Sequence, residues 1–325
     1  MRMDGTQVVV VGSFNVDHVW RCEALPAPGA TLAGEYASGP GGKGFNQAIA
    51  AARAGARTAF VCALGDDPGG RLARELAAAD GLDLRALAGD APTGTAGIYV
   101  DAGGRNSIVI GAGANATLSP AHVAAQADAF ATARVVLAQL ESPVDAVAAA
   151  LAAGRERGAT TLLNPAPANA PTTHALLALA DVLTPNETEF AALVARHLGD
   201  RIDPAGVATL DQARLHALCR ELAPAATVVV TLGAIGCFVS HPADATRGDA
   251  LACHRIGAEP VRATDTTGAG DAFNGALAAS LARDPGLAFP AHLAFASRYA
   301  ALSTERAGAS ASMPLRADVE ARFLP

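Results

Sequence analysis

Apolar residues follow two alternating patterns along the chain, short continuous runs and longer segments with helical spacing. The continuous runs are typical of strands buried in a parallel sheet, and they cover residues 7–11, 57–63, 135–139, 160–164, 182–184 and 227–232. Segments with the spacing of helices lie between them, at residues 45–55, 65–82, 120–131 and 144–157. This alternation predicts an α/β protein built around a mostly parallel sheet.

Two segments interrupt the alternation. Residues 13–40 begin with an alternating strand and continue through turns and short strands, and residues 93–113 have the pattern of a hairpin that turns at residues 102–105. We expect the two segments to pair into a small separate sheet that lies over the site as a lid. The chain is then divided into a core of residues 1–12, 41–92 and 114–325 and a lid of residues 13–40 and 93–113.

The stretch RATDTTGAGDAFNGA, residues 262–276, carries the strongest chemical signal. Gly268, Ala269 and Gly270 lead into a helix, so several unpaired backbone N–H groups stand at its positive end and attract an anion such as phosphate. Asp271 follows at the place where such a site would hold a phosphoryl group. A carboxylate there is suited to take the proton of a hydroxyl that attacks phosphorus. The alternative is that Asp271 only caps the helix.

The only lysine of the chain is a second signal. Of the 24 basic residues, 23 are arginine, and the single lysine is Lys43 in the segment GPGGKGFNQ. A compact ammonium group fits close to a substrate oxygen where a guanidinium group does not, although chance survival of one lysine is the alternative. Gly44 follows Lys43, so the Ser or Thr of a Walker A motif is missing, and GSFNVD lacks the spacing of a dinucleotide fingerprint. We expect the glycines to let the backbone and Asn46 approach a small ligand closely.

Other polar residues stand near the predicted ends of strands. Asn15 and Asp17 are two apart and share one face of a strand, where an amide and a carboxylate can bind vicinal hydroxyls, although a turn at the strand end is the alternative. Glu141 directly follows the third predicted strand, at the edge of the sheet where ligands bind in doubly wound folds, although a carboxylate favoured by the start of a helix is the alternative. Asn186 and Glu189 stand three apart, either as a helix cap or as a polar pair that meets phosphate through Mg²⁺ and water.

Composition narrows the classes of partner. The net charge of −7 and the pI near 5.6 argue against nucleic acid as the main partner. No stretch is apolar enough to span a membrane, and the apolar run near the N-terminus is too short for a signal peptide. The five cysteines are scattered without a metal-binding spacing, which is typical of reduced thiols in a cytoplasmic protein.

Seven motifs occur in a fixed order over nearly the whole chain: GSFNVDH, GGKGFNQA, QLES, NPAPA, TPNETE, TLGAIG and DTTGAGDAFNGA. On these motifs the sequence resembles the ribokinase-type (phosphofructokinase-B) family of sugar kinases, whose two signatures are GGKG near the start and DTTGAGD near the end. The resemblance implies a three-layer α/β/α core of nine or so strands with a small β-sheet lid. It also implies transfer of the γ-phosphate of ATP to the terminal hydroxyl of a furanose.

The resemblance extends to the identity of the sugar. QLES and NPAP favour D-ribose, which would be phosphorylated at O5. Another furanose, such as 2-deoxyribose, a nucleoside or a fructose derivative, is the alternative within the family, and a catalytically silent sugar-binding protein on the same fold is the alternative outside it. Phe45 stands where the family usually has Ala, and we expect its ring to lie beside the sugar loop, where it would affect the choice of sugar.

The resemblance assigns roles to individual residues. Asp271 is the expected base, and Gly268, Ala269 and Gly270 form the expected anion hole. The expected sugar-binding residues are Asn15, Asp17, Gly42, Lys43, Asn46, Glu141 and Asp271. Asn186 and Glu189 are expected beside the phosphates and Mg²⁺. The other residues expected to line the nucleotide are Thr231, Leu232, Gly233, Ala234, Ile235, Gly236, Gly270, Asp271 and Ser297.

Family members also bind an activating potassium ion beside the anion hole. The matching positions here are Asp265, Thr267, Ser303, Arg306, Gly308 and Ser312. Backbone carbonyls from two polar loops and a carboxylate offer the many oxygens that a large, weakly hydrated cation needs. The alternative is that the two loops simply hydrogen-bond each other.

The lid sequence also suggests an oligomer. Val19, Trp20 and Ile98 are expected to be only half buried on a single small sheet, and such a sheet is marginally stable alone. We therefore expect a homodimer in which two lids pack face to face, as the resemblance also implies.

Overall fold

The computed structural model describes residues 5–323 of the chain. The strands, in chain order, are β1 (Val8–Val11), β2 (Asn15–Arg21), β3 (Glu35–Gly41), β4 (Thr58–Gly65), β5 (Asp83–Gly89), β6 (Gly94–Val100), β7 (Asn106–Gly111), β8 (Val135–Ala138), β9 (Thr160–Leu163), β10 (Val182–Leu183), β11 (Thr227–Thr231), β12 (Cys237–Ser240) and β13 (Cys253–Ile256). The α-helices are α1 (Lys43–Arg53), α2 (Pro68–Ala79), α3 (Pro120–Ala125), α4 (Ala127–Phe130), α5 (Val144–Glu156), α6 (His174–Leu177), α7 (Glu187–His197), α8 (Gln212–Leu222), α9 (Ala269–Arg283), α10 (Phe289–Ser303) and α11 (Arg316–Phe323).

Nine strands form one large sheet in the order β13-β12-β11-β10-β9-β8-β1-β4-β5. All neighbours are parallel except the pairs β11/β12 and β12/β13, which are antiparallel. The chain runs outward from β1 to β4 and β5 on one side, and then from β8 to β13 on the other. The strand order therefore reverses between β1 and β8, and ligands of doubly wound sheets bind in the crevice beyond the carboxyl ends of strands at such a point.

Helices cover both faces of this sheet. Alternate residues of β1 face opposite sides, so Val8 and Val10 belong to the cluster packed by α1, α9 and α10, whereas Val9 and Val11 pack with α3, α4 and α5. A further cluster of buried apolar residues packs α7 and α8 against β9, β10 and β11 and continues this second layer. The structure confirms the predicted three-layer α/β/α core.

Helices α1 and α9 approach each other unusually closely. A Cβ atom added to Gly275 would lie 2.4 Å from the backbone oxygen of Gln47 and 2.5 Å from Cβ of Ala50. Only glycine fits at such a distance, so the two backbones are in contact at this crossing. Because of this contact, the first turn of α1 lies against the first turn of α9, where Asp271 is located.

Four strands form the smaller sheet, in the order β3-β2-β6-β7. The segments 13–40 and 93–113 thus pair into one small sheet, with β2 and β6 parallel at its centre. Trp20 stacks on Tyr99 with ring centroids 5.3 Å apart, and its ring lies 5.2 Å from that of Tyr36. Val19, Trp20 and Ile98 are half buried, as predicted. The division of the chain into a core and a lid at the stated boundaries stays a prediction.

Most predicted elements are present within one or two residues of their expected ends, but one predicted helix is wrong, and strand β5 and helices α6, α8 and α11 were not predicted. Strand β5 was not predicted, because it is a half-exposed edge strand with the sequence DLRALAG rather than a continuous apolar run. The single helix predicted at residues 120–131 is wrong, since the chain leaves the α conformation at Gln126 and forms the two short helices α3 and α4. Among residues 5–323, no helix combines the length and the apolar character that a membrane span requires.

Candidate active site

The amino end of α9 is built as the sequence suggested. Gly268 has a left-handed backbone with φ of 78°, and a Cβ atom there would lie 2.9 Å from Cβ of Ala309, so both its conformation and its surroundings require glycine. Ala269 and Gly270 begin the helix, and all three residues border a small cavity of about 150 Å³. The backbone N–H groups of Gly268 and Gly270 are therefore available to an anion in the cavity, whereas that of Ala269 donates to the backbone oxygen of Thr266 at 3.1 Å.

Asp271 lies in the first turn of α9 with only 6% of its surface exposed. Its Oδ2 accepts a hydrogen bond from Nδ2 of Asn46 at 3.0 Å, and its Oδ1 accepts one from Nε2 of Gln47 at 2.8 Å. No side chain caps the amino end of α9, so the alternative in which Asp271 is only a cap does not fit the geometry. Burial raises the pKa of Asp271, while Lys43, Gln47 and Asn46 act in the opposite direction.

Lys43 is the first residue of α1 and borders the same small cavity. Burial acts to lower the pKa of its ammonium group, but the carboxylates of Asp271, Glu141 and Glu189 outweigh this and raise the pKa above its ordinary value. The single lysine of the chain is therefore a fixed positive charge surrounded by acidic groups.

Glu141 joins the loop after β1 to the amino end of α1. Its Oε2 accepts hydrogen bonds from the backbone N–H of Lys43 at 2.9 Å and from Oγ of Ser13 at 2.7 Å. Gly42 precedes the helix with φ of 87°. These bonds fix the glycine-rich turn against the carboxyl end of β8, as the switch point of the sheet predicts.

Asn15 and Asp17 stand on β2, at the root of the small sheet. Oδ1 of Asn15 accepts a hydrogen bond from Nδ2 of Asn115 at 2.8 Å, which leaves the amide N–H groups of Asn15 as donors for a ligand. Burial, together with the charges of Glu141 and Asp271, raises the pKa of Asp17 to about 7. Of the residues expected to bind sugar, Asn46 is hydrogen-bonded to Asp271, and Asp17, Lys43 and Glu141 interact with its charge, although only Lys43 among these four borders the small cavity.

Asn186 and Glu189 form a capping box at the amino end of α7. Oδ1 of Asn186 accepts from the backbone N–H of Glu189, and Oε2 of Glu189 accepts from the backbone N–H of Asn186, both at 2.9 Å. The capping arrangement is therefore present. Both residues also border the small cavity, and burial raises the pKa of Glu189.

The donor set at this cavity is compatible with Mg²⁺. Residues 5–323 contain no group of three or more His, Cys, Asp or Glu side chains that would hold a metal ion alone. Mg²⁺ does not need such a group, because it keeps several waters and binds one or two carboxylates together with substrate phosphates. Glu189, which borders the cavity beside the anion-binding turn, provides one such carboxylate.

A larger cavity of about 540 Å³ adjoins the small one and shares five residues with it: Asn186, Thr231, Thr266, Ala269 and Gly270. Among the residues expected to line a nucleotide, it is bordered by Asn186, Thr231, Gly233, Ala234, Gly236, Gly270 and Ser297. Of the other residues expected to line the nucleotide, Leu232 is buried, Ile235 is 55% exposed and Asp271 borders only the small cavity, so their contact with a nucleotide stays a prediction. Residues that sequence reasoning missed complete the wall: Glu187, Ala258, Glu259, Pro260, Val261, Ala263, Thr266, Phe273, Ala300, Ala301 and Thr304.

The two loops expected to hold potassium are joined by direct hydrogen bonds. The carboxylate of Asp265 accepts from the backbone N–H groups of Thr267 and Gly308, both at 2.9 Å. Ser303 and Ser312 each donate their hydroxyl to a backbone carbonyl three residues earlier, and Arg306 is exposed. This geometry agrees with the alternative of loops that bind each other, and the potassium site stays a prediction.

The expectation that the ring of Phe45 lies beside the sugar loop is wrong. Phe45 is almost fully buried, and its ring packs edge-on against Phe14 and Phe60, with centroids 5.0 and 5.9 Å apart. The ring therefore fills the core beneath α1, where its size adds apolar contact rather than narrowing the site.

Several buried polar residues near Asp271 lie within the sequence motifs, but no role was predicted for them. Gln47 follows Asn46, Gln139 opens QLES, and Asn164 opens NPAPA. All three are buried, and Gln47 is hydrogen-bonded to both Gln139 and Asn164. Asn274 in the next turn of α9 donates to the backbone oxygen of Gly270 at 2.8 Å and so stiffens the anion-binding turn. Their position inside signature motifs was the only available signal.

Comparison with known proteins agrees with this geometry. A ribokinase from Haemophilus influenzae is 36% identical over 312 residues, which cover 95% of each chain. A bifunctional ribokinase/ribose-5-phosphate isomerase A from Fructilactobacillus sanfranciscensis is 39% identical over 316 residues, and the chain spans 55% of its length. The solved structure of Arabidopsis thaliana ribokinase complexed with ribose and ATP matches with a TM-score of 0.83, 29% identity and 97% coverage of both chains.

The family model of the pfkB carbohydrate kinases matches residues 5–316, almost the whole chain. Together with the fold and the carboxylate at the anion-binding turn, this match shows that the chain belongs to the pfkB family of carbohydrate kinases.

Proposed function

We propose that this sugar kinase phosphorylates D-ribose at O5, with ATP as the phosphoryl donor, and releases D-ribose 5-phosphate and ADP. The observation that carries the proposal is the position of Asp271, which is buried at the anion-binding turn of α9 and bonded to Asn46. The full-length similarity to ribokinases and the match to a structure with ribose and ATP support the choice of substrates.

The chemistry follows from this arrangement. Asp271 accepts the proton of the sugar hydroxyl as the oxygen attacks the γ-phosphorus, and the bond between this phosphorus and the departing ADP breaks. The N–H groups of Gly268 and Gly270 donate to the transferring phosphoryl oxygens, and the N–H of Ala269 joins them once it gives up its bond to the backbone oxygen of Thr266. Lys43 holds a positive charge at the same cavity and attracts these oxygens.

Mg²⁺, when bound, neutralises part of the charge on the ATP phosphates. Glu189 and, through water, Asn186 are the residues that would hold it. On the nucleotide side, Thr231, Gly233 and Gly236 form one wall of the larger cavity and Ser297 on α10 stands on another. The absence of bulky side chains at the glycines leaves room for the nucleotide to lie along the turn after β11.

The first test replaces the proposed base. Asp271→Asn is expected to keep the fold and ATP binding and to lower turnover by about 10²- to 10⁴-fold, because a positioned base contributes about that much. Turnover is measured with a coupled assay for ADP release, and ATP binding by calorimetry. Asp211→Asn is the control, since Asp211 caps the exposed start of α8 and Asn caps helices equally well. Retention of more than about a tenth of wild-type turnover, with chemistry rate-limiting, would exclude this role.

The second test concerns the sugar. We expect kcat/KM for D-ribose to exceed that for 2-deoxyribose by about tenfold or more, because the amide of Asn15 is held with its donors free for the 2-hydroxyl region. The same ADP assay, run with ribose, 2-deoxyribose, nucleosides and fructose derivatives, measures the ratio. Faster turnover of another furanose would replace ribose as the substrate. Absence of ADP release with every sugar would favour a silent binding protein.

We further propose that a potassium ion activates the enzyme by fixing the loop before Gly268. Asp265 already joins the two loops through Gly308, and an ion beside this contact would hold the anion-binding turn, where small misplacement strongly lowers rate. Turnover is measured in potassium, sodium and tetramethylammonium salts at constant ionic strength and saturating Mg²⁺. A severalfold gain specific to potassium is expected. Equal rates in the three salts would show that the hydrogen bonds between the loops are sufficient.

We also propose that residues 13–40 and 93–113 act as a lid and that two lids pack together in a homodimer. Strand β7 is exposed along its whole length and carries Ile108, Val109 and Ile110, of which Val109 is 69% exposed. Ile108 and Ile110 face one side of the sheet and Val109 the other, and exposed apolar side chains on an edge strand are typical of an interface. We propose a cytoplasmic location as well, because all five cysteines carry free thiols, as is usual in a reducing compartment.

Light scattering at micromolar concentration tests the dimer. The wild-type protein is expected to be dimeric, and Val109→Asp is expected to shift it toward monomer, because a charge would be buried between the lids. Leu287→Asp is the control, since Leu287 is also exposed, at 50%, but lies outside the small sheet. A fully active wild-type monomer would contradict the proposal.

A further inference from the structure

Three buried amide side chains form a chain of hydrogen bonds that ends on Asp271. Gln47 on α1 is completely buried, and its Nε2 donates to Oδ1 of Asp271 at 2.8 Å and to Oδ1 of Asn164 at 3.1 Å. Its Oε1 accepts a hydrogen bond from Nε2 of Gln139 at 2.6 Å. The NH₂ group of Gln47 therefore faces the carboxylate of Asp271, and its side-chain oxygen faces away from it.

The orientation of these amides is fixed from both ends. A carboxylate can only accept hydrogen bonds, so the NH₂ group of Gln47 must face Asp271. Asn164 donates its own NH₂ to the backbone oxygen of Thr184 at 3.0 Å, so its oxygen must face Gln47. Gln139 supplies the donor that the oxygen of Gln47 needs. These bonds are mutually consistent and set the orientation of Gln47, while Oε1 of Gln139 is buried without a hydrogen-bond partner among residues 5–323.

The two oxygens of Asp271 have different surroundings. Oδ2 is bonded to Asn46, a proposed sugar-binding residue whose own Oδ1 has no hydrogen-bond partner within residues 5–323. Oδ1 is bonded to Gln47, which has no exposed surface. A substrate hydroxyl can thus replace Asn46 as the hydrogen-bond partner of Oδ2, while Gln47 stays bonded to Oδ1.

We propose that Gln47 is a positioning residue that anchors Oδ1 of Asp271 and leaves Oδ2 to take the proton of the attacking sugar hydroxyl. The proton passes from that hydroxyl to Oδ2 while the new oxygen–phosphorus bond forms and the bond to ADP breaks. Gln47 gains and loses no proton in this step. Gln139 contributes by holding the amide of Gln47 in the required orientation. The inference rests on the proposed role of Asp271 as the base.

Other charged groups also face Asp271, from four different elements. Lys43 begins α1, Glu141 follows β8, Glu189 lies in α7 and Asp17 lies on β2. None of them is altered when Gln47 is replaced. A change in the titration of Asp271 in such a variant therefore reports the lost or altered amide contact.

The test is the pH dependence of kcat/KM, whose acidic limb reports the base of the free enzyme. Gln47→Met keeps the length of the side chain and removes the donor, so burial of Asp271 is opposed by one hydrogen bond fewer. We expect the acidic limb to move upward by about one pH unit, which is about a tenfold loss of kcat/KM on the acidic side with recovery at higher pH. KM for ATP is expected to stay within about twofold of the wild type, because Gln47 does not border the nucleotide cavity.

Gln47→Glu is the isosteric variant. It places a second carboxyl oxygen against Oδ1 of Asp271, and two carboxyl groups at hydrogen-bond distance share one proton. Its acidic limb is expected to move further than that of Gln47→Met. Ile49→Val, a buried substitution on the same helix, is the packing control and is expected to keep the wild-type profile.

Gln139→Met provides an independent arm, because Gln139 does not touch Asp271, and a smaller shift in the same direction is expected. If neither Gln47 variant folds, the pH profile of Gln139→Met tests the inference. Wild-type acidic limbs in the folded variants, with Asp271→Asn inactive, would overturn the inference and leave the base intact. A uniform loss of rate without a shift would also overturn it. An active Asp271→Asn would instead remove the base assignment itself.

Discussion

The close contact between α1 and α9 is the constraint on which the site depends. Gly275 lets the two backbones touch, and contacts at both ends show that the helices run in the same direction. Asp271 bonds to Asn46 near their amino ends, and Arg283 donates to the backbone oxygen of Ala54 at 3.2 Å near their carboxyl ends. Two helix amino ends are thus brought side by side, and the partial positive charges of both favour an anion between them. A larger residue at the crossing would separate the base from the groups that hold it.

The acidic groups collected at this point make the site electrostatically unfavourable when it is empty of ligand. Burial raises the pKa of Asp17 to about 7 and also raises the pKa values of Asp271 and Glu189, with Lys43 as the cation that opposes them. For Asp17 the folded state keeps a proton that the unfolded chain has lost between about pH 3.8 and 7, so its contribution to stability falls as the pH rises through this window. Such groups are selected for chemistry rather than for stability.

The parts of the fold that the sequence predicted are those decided by local patterns. Strands buried on both faces appear as continuous apolar runs, and glycine with Asp271 at the start of α9 forms a local motif. Edge strand β5 and the break at Gln126 were missed because neither has a strong local signal. The chain of Gln47, Gln139 and Asn164 was missed for a different reason. Gln139 is 92 positions and Asn164 is 117 positions from Gln47 in the sequence, and only the tertiary fold shows which amide donates to which.

The larger cavity and the surroundings of Asp271 would bind their proposed ligands through different interactions. The larger cavity is bordered by small and apolar side chains, including Ala258, Val261 and Phe273, so a nucleotide there would be held mainly by shape and apolar contact. Around Asp271, in contrast, direction is set by hydrogen bonds whose donors and acceptors are already fixed by partners such as Gln47. A small displacement changes an apolar contact little, whereas it weakens a hydrogen bond and misaligns a base. We therefore expect the precision of phosphoryl transfer to depend on the acceptor side, where the proposed base, Asp271, is held at the contact between α1 and α9.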